Sequence, residues 1–191
     1  MELMEAIYHR RAVRSYTDQK VDKTTVEVLI DAAVQAPSAM NAQPWAFVVV
    51  QDAELLAQYS ERAKAHLQQI VQPGSPLYEH LKALEDSAYS IFYDASTLIL
   101  ICAERGAVNG AEDCCLAAQN LMLAACSLGY GTCVIGLARP WLNLPETKRE
   151  LGIAADYEPV MPIIVGYPWG DTPPPPKKKP EILFWKSSGG A

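Results

Sequence analysis

The sequence predicts one α/β or α+β domain followed by an extended arm, and three observations carry that reading. Four short apolar runs rich in β-branched residues alternate with stretches of helical periodicity. Half of the 191 residues are hydrophobic and a fifth are charged, which is globular composition, enough for one substantial core and short for two. Residues 171–180, DTPPPPKKKP, are proline-rich and read as extended polyproline-like chain.

The elements follow in order. Glu2 to about Arg10 has a helical pattern, with Leu3, Ala6 and Ile7 on one side, and Val13 to Tyr16 reads as extended. Thr24 and Glu27 form a capping-box pattern ahead of Val26, Leu29, Ile30 and Ala33 at i, i+3, i+4 and i+7, which predicts an amphipathic helix ended by Pro37. Trp45–Val50, WAFVVV, predicts a buried strand. Residues 53–69 read as helix, Pro73-Gly74-Ser75-Pro76 as a break, and a helical segment resumes to about Tyr89. Thr97–Cys102, TLILIC, is a second strand. Glu112–Leu128 is apolar on almost every side, as in a central helix or one packed between subunits, with Gly129 as its C-terminal stop. Thr132–Ile135 and Val160–Val165 predict two further strands, with Pro162 favouring an edge or irregular pairing. Pro145–Leu151 reads as a short helix capped near Asn143 or Leu144. After the prolines, Ile182, Leu183, Phe184 and Trp185 form an apolar anchor suited to docking on another surface.

Charge and composition exclude several function classes. A net charge of −6 argues against a general binder of nucleic acid or anionic membranes. No apolar run approaches the ~18 residues needed to span a bilayer. The N-terminus has acidic residues first and no apolar core segment, so it is not read as a signal peptide, and the expected location is cytoplasmic. The five cysteines include no CxxC pair, and the three histidines have no metal-ligand spacing to them, so no metal site is expected. The cysteines read as small core residues.

Against this acidic background, Tyr8–Tyr16, YHRRAVRSY, gathers Arg10, Arg11 and Arg14. Arginine binds phosphate-like anions best, through forked, charge-assisted hydrogen bonds. Arg10 and Arg14 share a face if the helix persists that far. Lys177, Lys178 and Lys179 form a second basic patch, and either cluster taken alone also suits a solvated surface. Neither GxxxxGK[ST] nor a strand-linked GxGxxG occurs. Two further segments point to a ligand. Ala36–Trp45, APSAMNAQPW, presents small hydrogen-bonding groups before a strand, and Gly129–Gly136, GYGTCVIG, permits close approach of a flat body to the backbone.

In this order the segments RRAVRSY, APSAMNAQPWAFVVV, AAQNLMLAACSLGYGTCVIG and GYP, with PKKKP and Trp185 downstream, resemble the nitroreductase family of flavin mononucleotide (FMN) enzymes. The resemblance implies an α+β fold with a central, mainly antiparallel sheet flanked by helices. It divides the chain into an FMN-binding domain over residues 1–170 and an arm, 171–191, that packs on the partner subunit of a homodimer. It implies that Arg10 binds the phosphate, aided by Lys177 and Lys179. Arg11 and Ala12 would contact the cofactor along the same segment, and Arg14 would reach the pyrimidine edge of the ring. Pro37, Ser38, Ala39, Asn41 and Gln43 would contact the flavin from the partner subunit or the same wall. Cys133, Val134, Ile135, Gly136 and Leu137 would run past the ring. The chain departs from the family at Ala12, where many members have Ser. It also lacks an acidic residue near Gly136, and neither Asn109 nor Lys82 matches the mid-chain Asn–Lys pair of larger members.

The activity so implied is transfer of hydride from NADH or NADPH to nitroaromatics, quinones or similar electron-poor acceptors in a ping-pong cycle. The flavin would carry the chemistry, so no catalytic side chain is expected and His9, His66 and His80 need no role. The alternatives are a reductive dehalogenase or flavin-processing relative on the same fold, and a non-catalytic flavin-binding or redox-sensing module. Dehalogenation would call for a lid over a zwitterionic amino acid, of which the sequence gives no clear sign; the insert that covers the substrate in larger members is short here, with Gln68–Tyr93 serving in part. Small aromatic or quinone substrates are the expected partners, with neither nucleic acid nor membrane.

Overall fold

A computed structural model describes residues 1–71, 84, 86 and 88–187. Its order is α1 (Leu3–His9), α2 (Lys23–Val34), β1 (Trp45–Val50), α3 (Ala53–Ile70), β2 (Thr97–Glu104), α4 (Gly110–Ser127), β3 (Gly131–Val134), α5 (Arg139–Leu142), α6 (Pro145–Glu150) and β4 (Tyr157–Gly166). The expected break at 73–76, most of the helix expected to run to Tyr89, and His80 and Lys82 lie outside the described residues.

The four strands form one sheet in the order β1-β2-β4-β3, with every neighbouring pair antiparallel. This is the α+β arrangement the resemblance implies. Both faces of the central strands are covered, and side chains alternate between them. Leu98, Leu100 and Cys102 pack on one side with Tyr59, Ala63, Trp141 and Leu142 of α3 and α5. Ile99, Ile101 and Ala103 pack on the other with Leu29 and Ala33 of α2 and with Ala117, Ala118 and Leu121 of α4. Burial pushes the Cys102 thiol up to about 11 and the Cys114 thiol up to about 12, so both stay protonated and behave as small apolar core residues.

Several local expectations are corrected. Strand β1 lies at the sheet edge, and of its residues only Val50 is buried. Strand β4 is interior despite Pro162, and its pairing is irregular as expected, because the register slips between Ile101 and Cys102. Pro162 is tolerated where β3 has run out, its carbonyl accepting a 2.8 Å hydrogen bond from the Ile135 amide. Helix α2 is capped not by Thr24 but by Asp22, whose carboxylate accepts from the Thr25 amide at 2.7 Å. Helix α1 stops at His9, with Arg10 already extended at ψ 128°, so Arg10 and Arg14 do not share a helical face.

The segment after α1 lies along the outer edge of β3 and over the end of β4. Ala12 pairs with Thr132 in a parallel bridge, and the Val13 amide donates to the Thr132 carbonyl at 3.0 Å. Tyr16 pairs with Pro168, and the Thr17 and Trp169 amides bond across at 2.9 Å each, to Tyr167 and Ser15. Two glycines make this approach possible. A Cβ on Gly131 would stand 2.8 Å from the Cβ of Val13, and one on Gly166 would stand 2.7 Å from the ring of Tyr16. Gly131→Ala is therefore expected to lower stability by about 1–3 kcal/mol through overpacking, read as a drop in urea midpoint with unchanged slope.

Candidate functional site

The backbone pairing of Ala12 and Val13 with Thr132 brings two distant stretches together, Arg10–Arg14 and Cys133–Leu137. Arg10, Arg11 and Ala12 are half-buried, while Arg14 and Gly136 are exposed. Arg11 closes the end of α1: its Nη1 donates to the carbonyls of Tyr8 at 2.5 Å and Arg10 at 3.0 Å. Its Nε is buried and has no partner among the described residues. The Cys133 thiol is pushed up by burial, with Arg14 and then Arg10 pulling it back.

Among the described residues the ion pairs are Lys23–Glu27, Arg62–Glu150 and Lys64–Glu61, and none includes Arg10, Arg11 or Arg14. Arg10 and Arg14 have no carboxylate partner among the described residues, and guanidinium donors of this kind suit an oxyanion. Next to it, a Cβ placed on Gly136 would meet nothing within 4 Å, which leaves room for a flat body against the backbone. A phosphorylated flat ring fits both features.

Pro37, Ser38, Ala39, Asn41 and Gln43 do not join this site within one chain. The Ala39 amide is held at 3.2 Å by each carboxylate oxygen of Asp113, in the first turns of α4. The Cys126 thiol, which Arg10 and Arg11 pull down against its burial, sits near the other end of that helix. At ~1.5 Å per residue the two places are ~20 Å apart along α4. They also lie at opposite edges of the sheet, three interstrand steps or ~14 Å across. The loop is nevertheless built with care. Met40, Asn41 and Gln43 all have left-handed backbones, at φ 53°, 55° and 50°, and Ser38 Oγ accepts from the Gln43 amide at 2.9 Å. Non-glycine residues in that region are uncommon and are held there by surrounding bonds.

Lys177 and Lys179 lie on an arm whose residues 171–187 are all exposed, so the chain does not by itself bring them to Arg10. Asp113, 4% exposed, and Tyr16, Tyr89 and Tyr93 are not among the site residues that the sequence motifs point to. Tyr16 donates to the Val13 carbonyl at 2.7 Å, and burial pushes its phenol pKa upward, with Arg14 opposing. The repeated tyrosine in YSIFY, residues 89–93, was the available signal for the last two.

The chain is similar to known proteins in sequence and in fold. The sequence profile of the nitroreductase family matches residues 7–167. A protein of Methanothermobacter thermautotrophicus named as an NADH dehydrogenase/NAD(P)H nitroreductase is 30% identical over 172 residues, 88% of this chain and 78% of that one. An iodotyrosine deiodinase of Thermotoga neapolitana is 27% identical over 184 residues, 91% of each chain. The crystal structure of a nitroreductase with bound FMN from Bacteroides fragilis superposes with a TM-score of 0.83 at 24% identity, covering 98% of this chain and 100% of that one, and shows the same fold.

Asp113→Ala removes the acceptor that holds the Ala39 amide. Hydrogen exchange at that amide should then quicken at least about tenfold, the scale of a hydrogen bond to a charged group, while exchange in β2 stays as in the parent.

Proposed function

The chain belongs to the nitroreductase family, and we propose that it acts as a homodimeric FMN-dependent oxidoreductase that uses NADH or NADPH to reduce nitroaromatics, quinones or similar electron-poor acceptors. The observation that carries this reading is the 3.0 Å bond from the Val13 amide to the Thr132 carbonyl, which seats the arginine segment against the strand leading to Gly136. The chemistry FMN supplies when bound is two-electron transfer, in from the nicotinamide and out to the acceptor, in ping-pong order.

The protein's part is binding and orientation. Arg10 offers donors for the phosphate, with Arg11 beside it on the same segment. Arg14 supplies a fixed positive charge for the pyrimidine edge, where it favours the reduced, more negative form. Residues 133–137 form the wall behind the ring, with Ala12 at its near end. Lys177 and Lys179 would reach the phosphate from the partner subunit's arm, and Pro37, Ser38, Ala39, Asn41 and Gln43 would close the site from the partner's loop.

The homodimer rests on exposed apolar surface. Leu3, Met4, Ile7 and Tyr8 of α1 and Leu116 of α4 are between 43% and 68% exposed, and Ile182 to Trp185 on the arm between 60% and 88%. Contiguous apolar surface of this kind marks an interface. Among the described residues no helix is long and apolar enough to cross a membrane, so these side chains are not part of a spanning helix.

A second reading, reductive dehalogenation of a halogenated phenol, is favoured by the deiodinase relative from Thermotoga neapolitana. An anaerobic panel of nitroaromatics, quinones and halotyrosines separates the two by which substrate reoxidises the reduced protein.

The purified protein should sediment as a dimer and show a flavin spectrum that bleaches with NADH or NADPH under anaerobic conditions and returns with a nitroaromatic or quinone. A colourless monomer that takes up no added FMN would overturn the proposal. Arg10→Ala should weaken FMN binding by about 1.5–3 kcal/mol, the scale of a charged hydrogen bond, measured by flavin fluorescence quenching.

A further inference from the structure

Arg14 is held in an unusual way. Its guanidinium carbon stands 6.0 Å from the centroid of the Tyr93 ring. It takes part in no ion pair among the described residues. Tyr93 is itself built into place. Its φ is 52° and that of Asp94 is 54°, two successive left-handed residues without glycine. For an aromatic residue this is a genuine outlier, and such conformations persist only where the surroundings impose them. Here they do. The Tyr93 amide donates to Ser90 O at 3.0 Å, the Ala95 amide donates to Phe92 O at 3.1 Å, and Ile91 and Phe92 are each 1% exposed in the core. With its two predecessors anchored inward, the left-handed turn leaves the Tyr93 ring against Arg14.

Behind Tyr93 stands a second tyrosine. The Tyr89 hydroxyl donates to the Tyr93 hydroxyl at 2.8 Å, and the rings meet edge to face at 5.7 Å and 87°. Tyr89 is tied in turn to α3, where Lys64, 3% exposed and paired with Glu61, donates to the Tyr89 carbonyl at 2.9 Å. The chain of contacts runs from α3 through Lys64, Tyr89 and Tyr93 to Arg14.

We propose that Tyr93, braced by Tyr89, is a positioning residue that holds the Arg14 guanidinium toward the flavin site while leaving its charge unneutralised. An aromatic face attracts a cation through the ring quadrupole and carries no net charge. A carboxylate in the same place would fix the arginine more firmly and also cancel the positive charge that the pyrimidine edge needs. The choice of an aromatic partner is explained by that requirement. The proposal rests on the cofactor reading above for what the charge does, and on Tyr93 alone for how it is held.

The test is a double-mutant cycle on the FMN-loaded protein, with Tyr93→Leu, Tyr93→Phe, Arg14→Ala and the Tyr93→Leu/Arg14→Ala pair. The readouts are FMN dissociation constant and midpoint potential, with thermal midpoints checking that each variant folds. Tyr93→Leu should weaken FMN binding about two- to fivefold and shift the potential in the same negative direction as Arg14→Ala, and Tyr93→Phe should bind as the parent does. In the Arg14→Ala background, Tyr93→Leu should add nothing. Equal losses with and without Arg14, or no loss from Tyr93→Leu, would overturn the proposal. A readout without flavin keeps the two readings apart. In the cofactor-free parent and in Tyr93→Phe, the Arg14 side-chain N–H resonance should be shifted upfield by the ring, and Tyr93→Leu should abolish the shift. If the parent binds no FMN yet shows that shift, the cofactor reading fails and the aromatic hold on Arg14 stands. If the shift is absent, the hold itself is wrong.

Discussion

One backbone hydrogen bond, from the Val13 amide to the Thr132 carbonyl, fixes where the arginines are. Arginine side chains are long and lose much conformational freedom when ordered, so their usefulness depends on where their backbone is anchored. Arg10 and Arg14 flank the anchored pair Ala12–Val13, and each therefore starts from a set position beside the end of β3. The anchor exists only because Gly131 and Gly166 have no side chains where Val13 and Tyr16 must lie. Tyr16 then locks the segment on itself by donating to the Val13 carbonyl. Sequence motifs that look separate, the arginine cluster and the two glycines, are two sides of one contact.

Two cations of this chain tie its helices together. Arg62 makes a bidentate pair with Glu150, at 2.9 and 2.7 Å, and lies over the rings of Tyr59 and Trp141, joining α3 to α5 and α6. Lys64 pairs with Glu61 and caps two carbonyls. Both are structural, and both carry a counter-charge. Among the described residues Arg10, Arg11 and Arg14 take part in no ion pair, and neither do Arg105, Arg139 and Arg149.

Much of the fold was legible because the relevant signals were local. The WAFVVV and TLILIC runs gave strands close to their observed limits, and the near-continuous apolarity of residues 112–128 gave α4. What escaped the sequence depended on three-dimensional neighbours. The edge position of β1 and the interior position of β4 follow from strand order, which no period-2 pattern encodes. Asp22 displaced Thr24 as the helix cap because two acceptors competed within three residues. The arginine cluster was found by its charge, but Tyr93 was not, since its role comes from a left-handed backbone and from Arg14, 79 positions earlier in the chain.

The loop 37–43 gives the last step. Its three left-handed residues cost free energy, and the buried Asp113 carboxylate spends both its oxygens on one amide of the same loop. Strain of this kind clusters at binding sites, which suits the role proposed for the loop. In its own subunit the loop sits ~20 Å along α4 from the arginines, too far for hydrogen-bonding side chains to meet a shared ligand of ordinary size. A helix with one half of a site near each end completes both halves if a second copy lies antiparallel beside it, related by a two-fold axis. The outer stripe of α4, Glu112, Cys115, Leu116 and Gln119, is exposed and available for that contact. In the proposed dimer, the exposed arm and the strained loop then serve one end. Each subunit supplies its arginines to one flavin and its loop, with Lys177 and Lys179, to the other, so a lone subunit holds only half of either site.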